Sequence, residues 1–227
     1  YTMADFDTRQ YKLARVRQFD GAPLTRTQYN LVIGGMLVFG TLINVAEATL
    51  LRNSILQIPA LAVLLIYLIG SFGGMALVYR NRSVGAGVAG FTVLAASMGL
   101  LLTYFVSFYD TGSIALAFIC TACTTGIMMA LAALAPQVFL RMGRVLGISL
   151  LVSIFASLVV AFLAPALWTA FDWLMVLLFC GYIGFDWARA QRYPSNAVNA
   201  VQCAADIYVD IVNLFIRILD IIGISRN

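Results

Sequence analysis

Histidine is absent from this 227-residue chain, and Lys12 is its only lysine. The first absence removes His-ligated haem, histidine-based zinc hydrolysis and Ser-His proteolysis, common ways for a helical membrane protein to build a catalytic centre. The second leaves no amine inside an apolar stretch to hold retinal or another carbonyl as a Schiff base. Charge is scarce too: 11% of residues are charged and 62% hydrophobic, where a soluble domain carries about 25% charged residues. With a mean hydropathy of +0.94, a water-soluble fold is excluded and an integral membrane protein is expected.

The four cysteines, Cys120, Cys123, Cys180 and Cys203, lie in or beside apolar segments. Cys120-x-x-Cys123 lacks the turn residues and second pair of a metal knuckle, so all four read as small packing residues. The first thirty residues are too charged for a signal peptide, and the opening Tyr1 points to a trimmed start.

Uncharged stretches bounded by charges, Pro or Gly predict seven spans: 30–51, 55–79, 84–108, 112–135, 145–167, 171–187 and a more polar 197–222. Pro59, Pro136, Pro165 and Pro194 fall near predicted ends, where a missing amide hydrogen costs least. Residues 1–29 form a charged tail, read either as a short interfacial helix or as unstructured, and residues 30–227 a single seven-helix transmembrane domain.

Lys and Arg set the expected orientation. Arg9, Lys12, Arg15, Arg17 and Arg26 of the tail share a side with Arg80, Arg82, Arg141, Arg144, Arg189 and Arg192 of alternate loops, leaving Arg52 and Arg226 opposite, with Asp110 and Asp172 in the opposite loops. The N-terminus is expected in the cytoplasm and the C-terminus outside. Cationic loops facing an anionic leaflet explain the net charge of +4 and a pI near 9.0 without any nucleic-acid partner.

Six spans are ordinary apolar helices with small residues for close packing, such as Gly70, Gly73 and Gly74. The seventh differs. Asn199, Gln202, Asp206, Asp210, Asn213, Arg217 and Asp220 are spaced by threes and fours, which at about 100° per residue confines them to an arc of roughly 80°. The opposite surface, including Ile207, Val212, Leu214 and Leu219, suits lipid or apolar helix packing. Carboxylates at mid-membrane are costly and usually face a bundle interior or water. The stripe is read as lining an ion or proton path, with a purely structural polar network as the plainer alternative.

A further acid, Asp186, ends the sixth span. An antiparallel sixth and seventh span joined by a short loop brings it toward Asp206 or Asp210. Depth counting favours Asp206, since Asp210 lies about 6 Å deeper. Two carboxyls in contact in a low-dielectric site cannot both ionise cheaply, and such a pair titrates in two macroscopic steps. That is a pH sensor without histidine: a shared proton clamps two helices, and full ionisation favours separation or capture of a hard divalent cation such as calcium.

The run Gly181-Tyr182-Ile183-Gly184-Phe185-Asp186, the run Tyr208-Val209-Asp210-Ile211-Val212-Asn213-Leu214-Phe215 and the seven-span layout resemble the Bax inhibitor-1 family, also called transmembrane Bax inhibitor motif proteins. Gly99-Leu100 and 113–118 add weaker support. The resemblance implies six helices around a central seventh and a pH-sensitive calcium leak gated by an aspartate pair near the cytoplasmic side. Carried over by motif, that pair is Asp186 and Asp210, with Asp206 as an auxiliary acid and Asp186, Asp206 and Asp210 as transient calcium contacts. Asn213 and Arg217 line the path, where Arg217 should repel cations unless neutralised by Asp220 or another acid.

The resemblance also implies a closed-state arginine latch from the second span, Arg80 or Arg82. The chain departs from members with an acid in the second span; its only membrane glutamate is Glu47 in the first, which either pairs with Arg52 or meets an ion.

The expected protein is thus no enzyme and holds no tight cofactor. Calcium and protons are its permeant or regulating ions, the bilayer is its partner, and a bacterial plasma membrane is its expected location. Alternatives are a proton- or cation-coupled transporter, for which an inverted repeat and broken helices are not evident, and a regulatory protein that binds a membrane partner such as a protease. An intramembrane aspartyl protease is disfavoured, because Tyr208-Val209-Asp210 lacks a preceding Gly-x-Gly and no Pro-Ala-Leu follows.

Overall fold

The computed structural model describes residues 23–80 and 83–224; the tail reading for 1–22 and the latch reading for Arg82 lie outside them. The described chain is helical: α1 (Arg26–Leu50), the short α2 (Arg52–Leu56), α3 (Ala60–Arg80), α4 (Val84–Val106), α5 (Thr111–Leu134), α6 (Pro136–Leu163), a 3-10 turn (Pro165–Leu167), α7 (Trp168–Ala190) and α8 (Ala197–Ile224). Among the described residues, six helices are long and apolar enough to cross a membrane: α1, α3, α4, α5, α6 and α7 with its leading turn. The protein is therefore a multi-pass membrane protein.

Local chemistry sets the boundaries. Thr25 caps α1 through a reciprocal box with Gln28: the Gln28 amide donates to the Thr25 hydroxyl and the Thr25 amide to the Gln28 side chain. This starts the helix four residues before the predicted span. Asp110 caps α5 by accepting from the Ser113 amide at 3.0 Å.

The largest correction concerns α6. Arg141 and Arg144 were expected in a loop before a span starting at Val145. Instead Pro136 stands at the first helical position, where its fixed φ is favourable, and α6 follows α5 after the single residue Ala135. The two arginines ride on the first turns of α6, where long stems let the charged ends reach the interface. Likewise Asp172, counted with the outer loops although it is the second residue of the predicted 171–187 span, sits more than a turn inside α7, because the 3-10 turn lets that helix begin at Trp168.

α8 packs against α1, α3, α4, α5 and α7, while α6 docks on α7 and α5. No described residue of α8 after Asn199 is exposed. Its apolar side, including Ile207, Val212, Leu214 and Leu219, meets neighbouring helices rather than lipid. By contrast α6 turns Ile148, Leu151, Phe155 and Phe162 outward. The backbones of α3 and α4 meet closely at Gly74 and Gly90, where a Cβ on Gly74 would lie 2.7 Å from the Gly90 carbonyl oxygen.

Candidate functional site

The polar stripe of α8 faces α7 and α3. At its first turns, Asn196 accepts from the Asn199 amide at 2.8 Å, which caps the helix. One turn on, the Gln202 amide group donates to the Val78 carbonyl of α3 at 3.1 Å. A hairpin of six residues returns the chain from Ala190 to Ala197, so the end of α7 lies beside the start of α8. The segment before α1 and the first turns of α1 fasten to this end of α7 and the hairpin: the Leu24 amide donates to the Ser195 carbonyl at 2.8 Å, the Tyr29 hydroxyl to the Ala190 carbonyl at 3.2 Å, and Gln191 to Asn30 at 3.0 Å.

Within this frame Asp186, Asp206 and Asp210 come together. The Asp210 carboxyl lies close enough to that of Asp186 for the two groups to share a proton. Asp186 is 8% exposed and Asp210 6% exposed, and Oδ2 of Asp210 is buried without a hydrogen-bond partner. Asp206 takes a different role. Its Oδ2 accepts from Nη2 of Arg189 at 2.6 Å, and the same nitrogen lies 2.8 Å from Oδ1 of Asp186. The Tyr79 hydroxyl, from α3, donates to the other oxygen of Asp206. The two readings of the acid pair, by depth and by motif, thus describe two contacts of one cluster: Asp210 touches Asp186 directly, and Asp206 reaches it through Arg189.

Arg189 and Tyr79 were not among the expected site residues. Arg189 had been counted only as an orienting charge, although its i+3 spacing from Asp186 put both on one face of α7. Arg80, one of the two expected latches, is exposed at the end of α3 and makes no ion pair among the described residues. The helical period turns it about 100° away from Tyr79, the α3 residue that does reach α8. Nor do the three acids form a ligand set. No group of three or more His, Cys, Asp or Glu among the described residues is placed to hold a metal ion; within the acid cluster the Arg189 guanidinium bridges Asp186 and Asp206.

About 10 Å farther along α8, Arg217 pairs not with Asp220 but with Asp172 of α7, Nη1 to Oδ1 at 2.8 Å, and stacks over Phe171 at 5.6 Å. Asp220 instead accepts from the hydroxyl of Tyr109, the residue just before the α5 cap. Burial, reinforced by that carboxylate, pushes the Tyr109 hydroxyl well above its ordinary value. Asn213 donates to the Val209 carbonyl of its own helix at 2.8 Å.

Glu47 does not pair with Arg52, which is exposed. It is buried on α1 beside Asn44, which accepts from the Tyr208 hydroxyl at 2.9 Å. All four cysteines are thiols outside any disulfide, and Cys203 lies 3.3 Å from the Tyr29 hydroxyl.

Residues 23–227 match the family described as "Inhibitor of apoptosis-promoting Bax1". A Bax inhibitor 1 from Schizosaccharomyces pombe is 36% identical over 110 residues, which span 46% of this chain and 41% of that relative's length. With every described helix inside the family match, the chain belongs to the Bax inhibitor family.

Proposed function

We propose that the protein is a pH-sensitive leak path for calcium and related cations, in which the Asp186–Asp210 contact between α7 and α8 is the gate. The observation that carries this reading is a pair of buried carboxyls within proton-sharing reach of each other inside the bundle, one on α7 and one on α8. In acid, the proton between them clamps α7 to α8. As the pH rises and both ionise, like-charge repulsion favours separation, and the freed carboxylates offer hard oxygens to a passing cation. Flux should therefore rise with pH. Arg189 supports the closed state by bridging Asp186 of α7 and Asp206 of α8.

On this reading α8 is the seventh span. Its 28 residues reach about 42 Å, and its charges are tolerated because every charged side chain on it has a partner among the described residues. The N-terminus is cytoplasmic and the C-terminus outside, by the distribution of Arg and Lys. A bacterial plasma membrane is the proposed setting, and transport rather than catalysis the proposed activity. The description of the matched family names inhibition of an apoptosis-promoting protein, which favours a second reading in which the bundle regulates a protein partner.

The test is calcium entry into proteoliposomes carrying an internal indicator, scanned from about pH 5 to 8, a window wide enough to show a raised carboxyl pair. Asp210→Asn should flatten the pH response. Asp110→Asn should leave it intact, because asparagine caps a helix as well as aspartate does. Parent and Asp210→Asn titrating alike would overturn the gate. Absence of flux from folded parent at every pH would overturn the leak itself and favour the regulatory reading.

A further inference from the structure

A second polar cluster lies where α1, α4 and α8 meet, apart from the aspartate site. Gly40, Asn44 and Glu47 follow one another at helical spacing on the buried face of α1. Gly40 is crossed closely by the Tyr208 ring of α8, whose hydroxyl donates to Asn44 Oδ1. From α4, Gly99 presents bare backbone to the same spot. A Cβ there would run into Glu47 Oε2 and would lie 2.7 Å from Asn44 Oδ1, so the absence of a side chain at Gly99 makes room for the Glu47 carboxyl beside Asn44 Oδ1. Thr103, one turn farther along the same face of α4, is fully buried.

Two of these groups lack partners. Oε2 of Glu47, a residue 8% exposed, and Oγ1 of Thr103, 0% exposed, are buried with no hydrogen bond. No Arg or Lys pairs with Glu47 among the described residues, and the remaining titratable group on this cluster is Tyr208. An isolated carboxylate inside a helical bundle is costly, and a bound counter-ion would offset that cost.

We propose that Glu47, Asn44, Thr103 and Tyr208 form a binding site for a monovalent alkali cation, with sodium as its occupant. The donor set is made of hard oxygens, which suits an alkali or alkaline-earth ion. The charge decides between them. One carboxylate balances one positive charge, whereas a calcium ion takes six to eight oxygens, commonly from more than one carboxylate, and would leave the site with uncompensated charge. The site is separate from the Asp186–Asp210 pair and does not depend on the leak reading.

Thermal unfolding of the purified full chain in detergent tests this, with sodium chloride titrated against N-methyl-D-glucamine chloride at equal ionic strength. Sodium should raise the midpoint of the parent in a saturable way, by mass action on the folded state. Glu47→Gln removes the charge and should abolish the rise; Gly99→Ala fills the space without changing charge and should weaken it; Asp210→Asn should keep it. Retention of radioactive sodium by the immobilised parent, displaced by unlabelled sodium, supplies a readout that needs no variant to fold. Equal midpoints in the two salts, a sodium response that survives Glu47→Gln or disappears in Asp210→Asn, or protection by calcium but not sodium, would each overturn the proposal.

Discussion

The guanidinium of Arg189 on α7 meets the carboxylate of Asp206 on α8 at 2.6 Å, and near the other end of the same two helices the polarity is reversed, Arg217 of α8 meeting Asp172 of α7 at 2.8 Å. α7 and α8 are therefore cross-pinned: each contributes the cation at one end and the anion at the other. Sliding or rotating one helix against the other must break an ion pair at both ends, which makes the relative position of α7 and α8 a well-defined state rather than a continuum.

At the first pin, a single nitrogen of Arg189 makes both contacts, and its Nε is buried without a partner. The planar fork that usually distinguishes arginine from lysine is not used. Arg189→Gln should lower stability by about 1.5–3 kcal/mol, the range for a hydrogen bond to a charged group. Arg189→Lys should lose less than half as much, because one ammonium can serve both carboxylates. Thermal unfolding in detergent compares the two; equal losses would show that the guanidinium shape matters after all.

The second pin is drier at its acidic end. Asp172 is 0% exposed, and its Oδ2 has no hydrogen-bond partner. Arg217→Met should cost about 3–5 kcal/mol, because it strands a buried carboxylate. Adding Asp172→Asn to it should recover much of the loss. The double-mutant cycle reads the coupling directly, and additive losses would mean that the pair contributes nothing beyond its separate parts.

These pins mark the limit of what was legible beforehand. Hydropathy located the apolar helices, and the threes-and-fours spacing of Asn199 through Asp220 identified α8 as the polar element. The sequence motifs selected Asp186 and Asp210, which the fold brings together. The role of Arg189 and the partner of Arg217 escaped because a sequence shows that a cation lies on a face, not which neighbouring helix supplies its anion. Asp172 escaped for a related reason: a charge near the end of an apolar run is read as a loop, whereas the 3-10 turn at Pro165–Leu167 carries α7 back past it. The same bias placed Arg141 and Arg144 in a loop that Pro136 turns into helix.

Neighbouring glycines on α3 offer a controlled test of the packing. A Cβ on Gly74 would lie 2.6 Å from the Leu94 backbone nitrogen and 2.7 Å from the Gly90 carbonyl oxygen, whereas Gly73 has nothing within 4 Å. Gly74→Ala should destabilise by about 1–3 kcal/mol through overpacking against backbone that cannot yield. Gly73→Ala should be neutral or slightly stabilising, since alanine favours helix by up to about 1 kcal/mol over glycine. Unfolding midpoints of the two variants decide this, and similar values would show that α3 and α4 can part without cost.

Tyr109 carries the last prediction, on alkaline stability. Its hydroxyl donates to Asp220, and burial together with that carboxylate raises its titration above the ordinary value. In the unfolded chain the phenol ionises near pH 10, while the folded protein still holds the proton. The folded state then binds more protons than the unfolded one, so stability falls with increasing pH. The contribution is fully present below about pH 10 and is lost as the pH climbs from there toward the folded value. Tyr109→Phe deletes both the hydrogen bond and the titration. It should cost about 1 kcal/mol near neutrality, up to about 3 if the bond to the charged Asp220 is strong, yet lose stability less steeply than the parent above about pH 10. Unfolding midpoints recorded across that window separate the two effects. Parallel curves for parent and variant would mean that the phenol titrates in the folded protein as it does in the unfolded chain, and that its contact with Asp220 does not fasten the α4–α5 turn to α8.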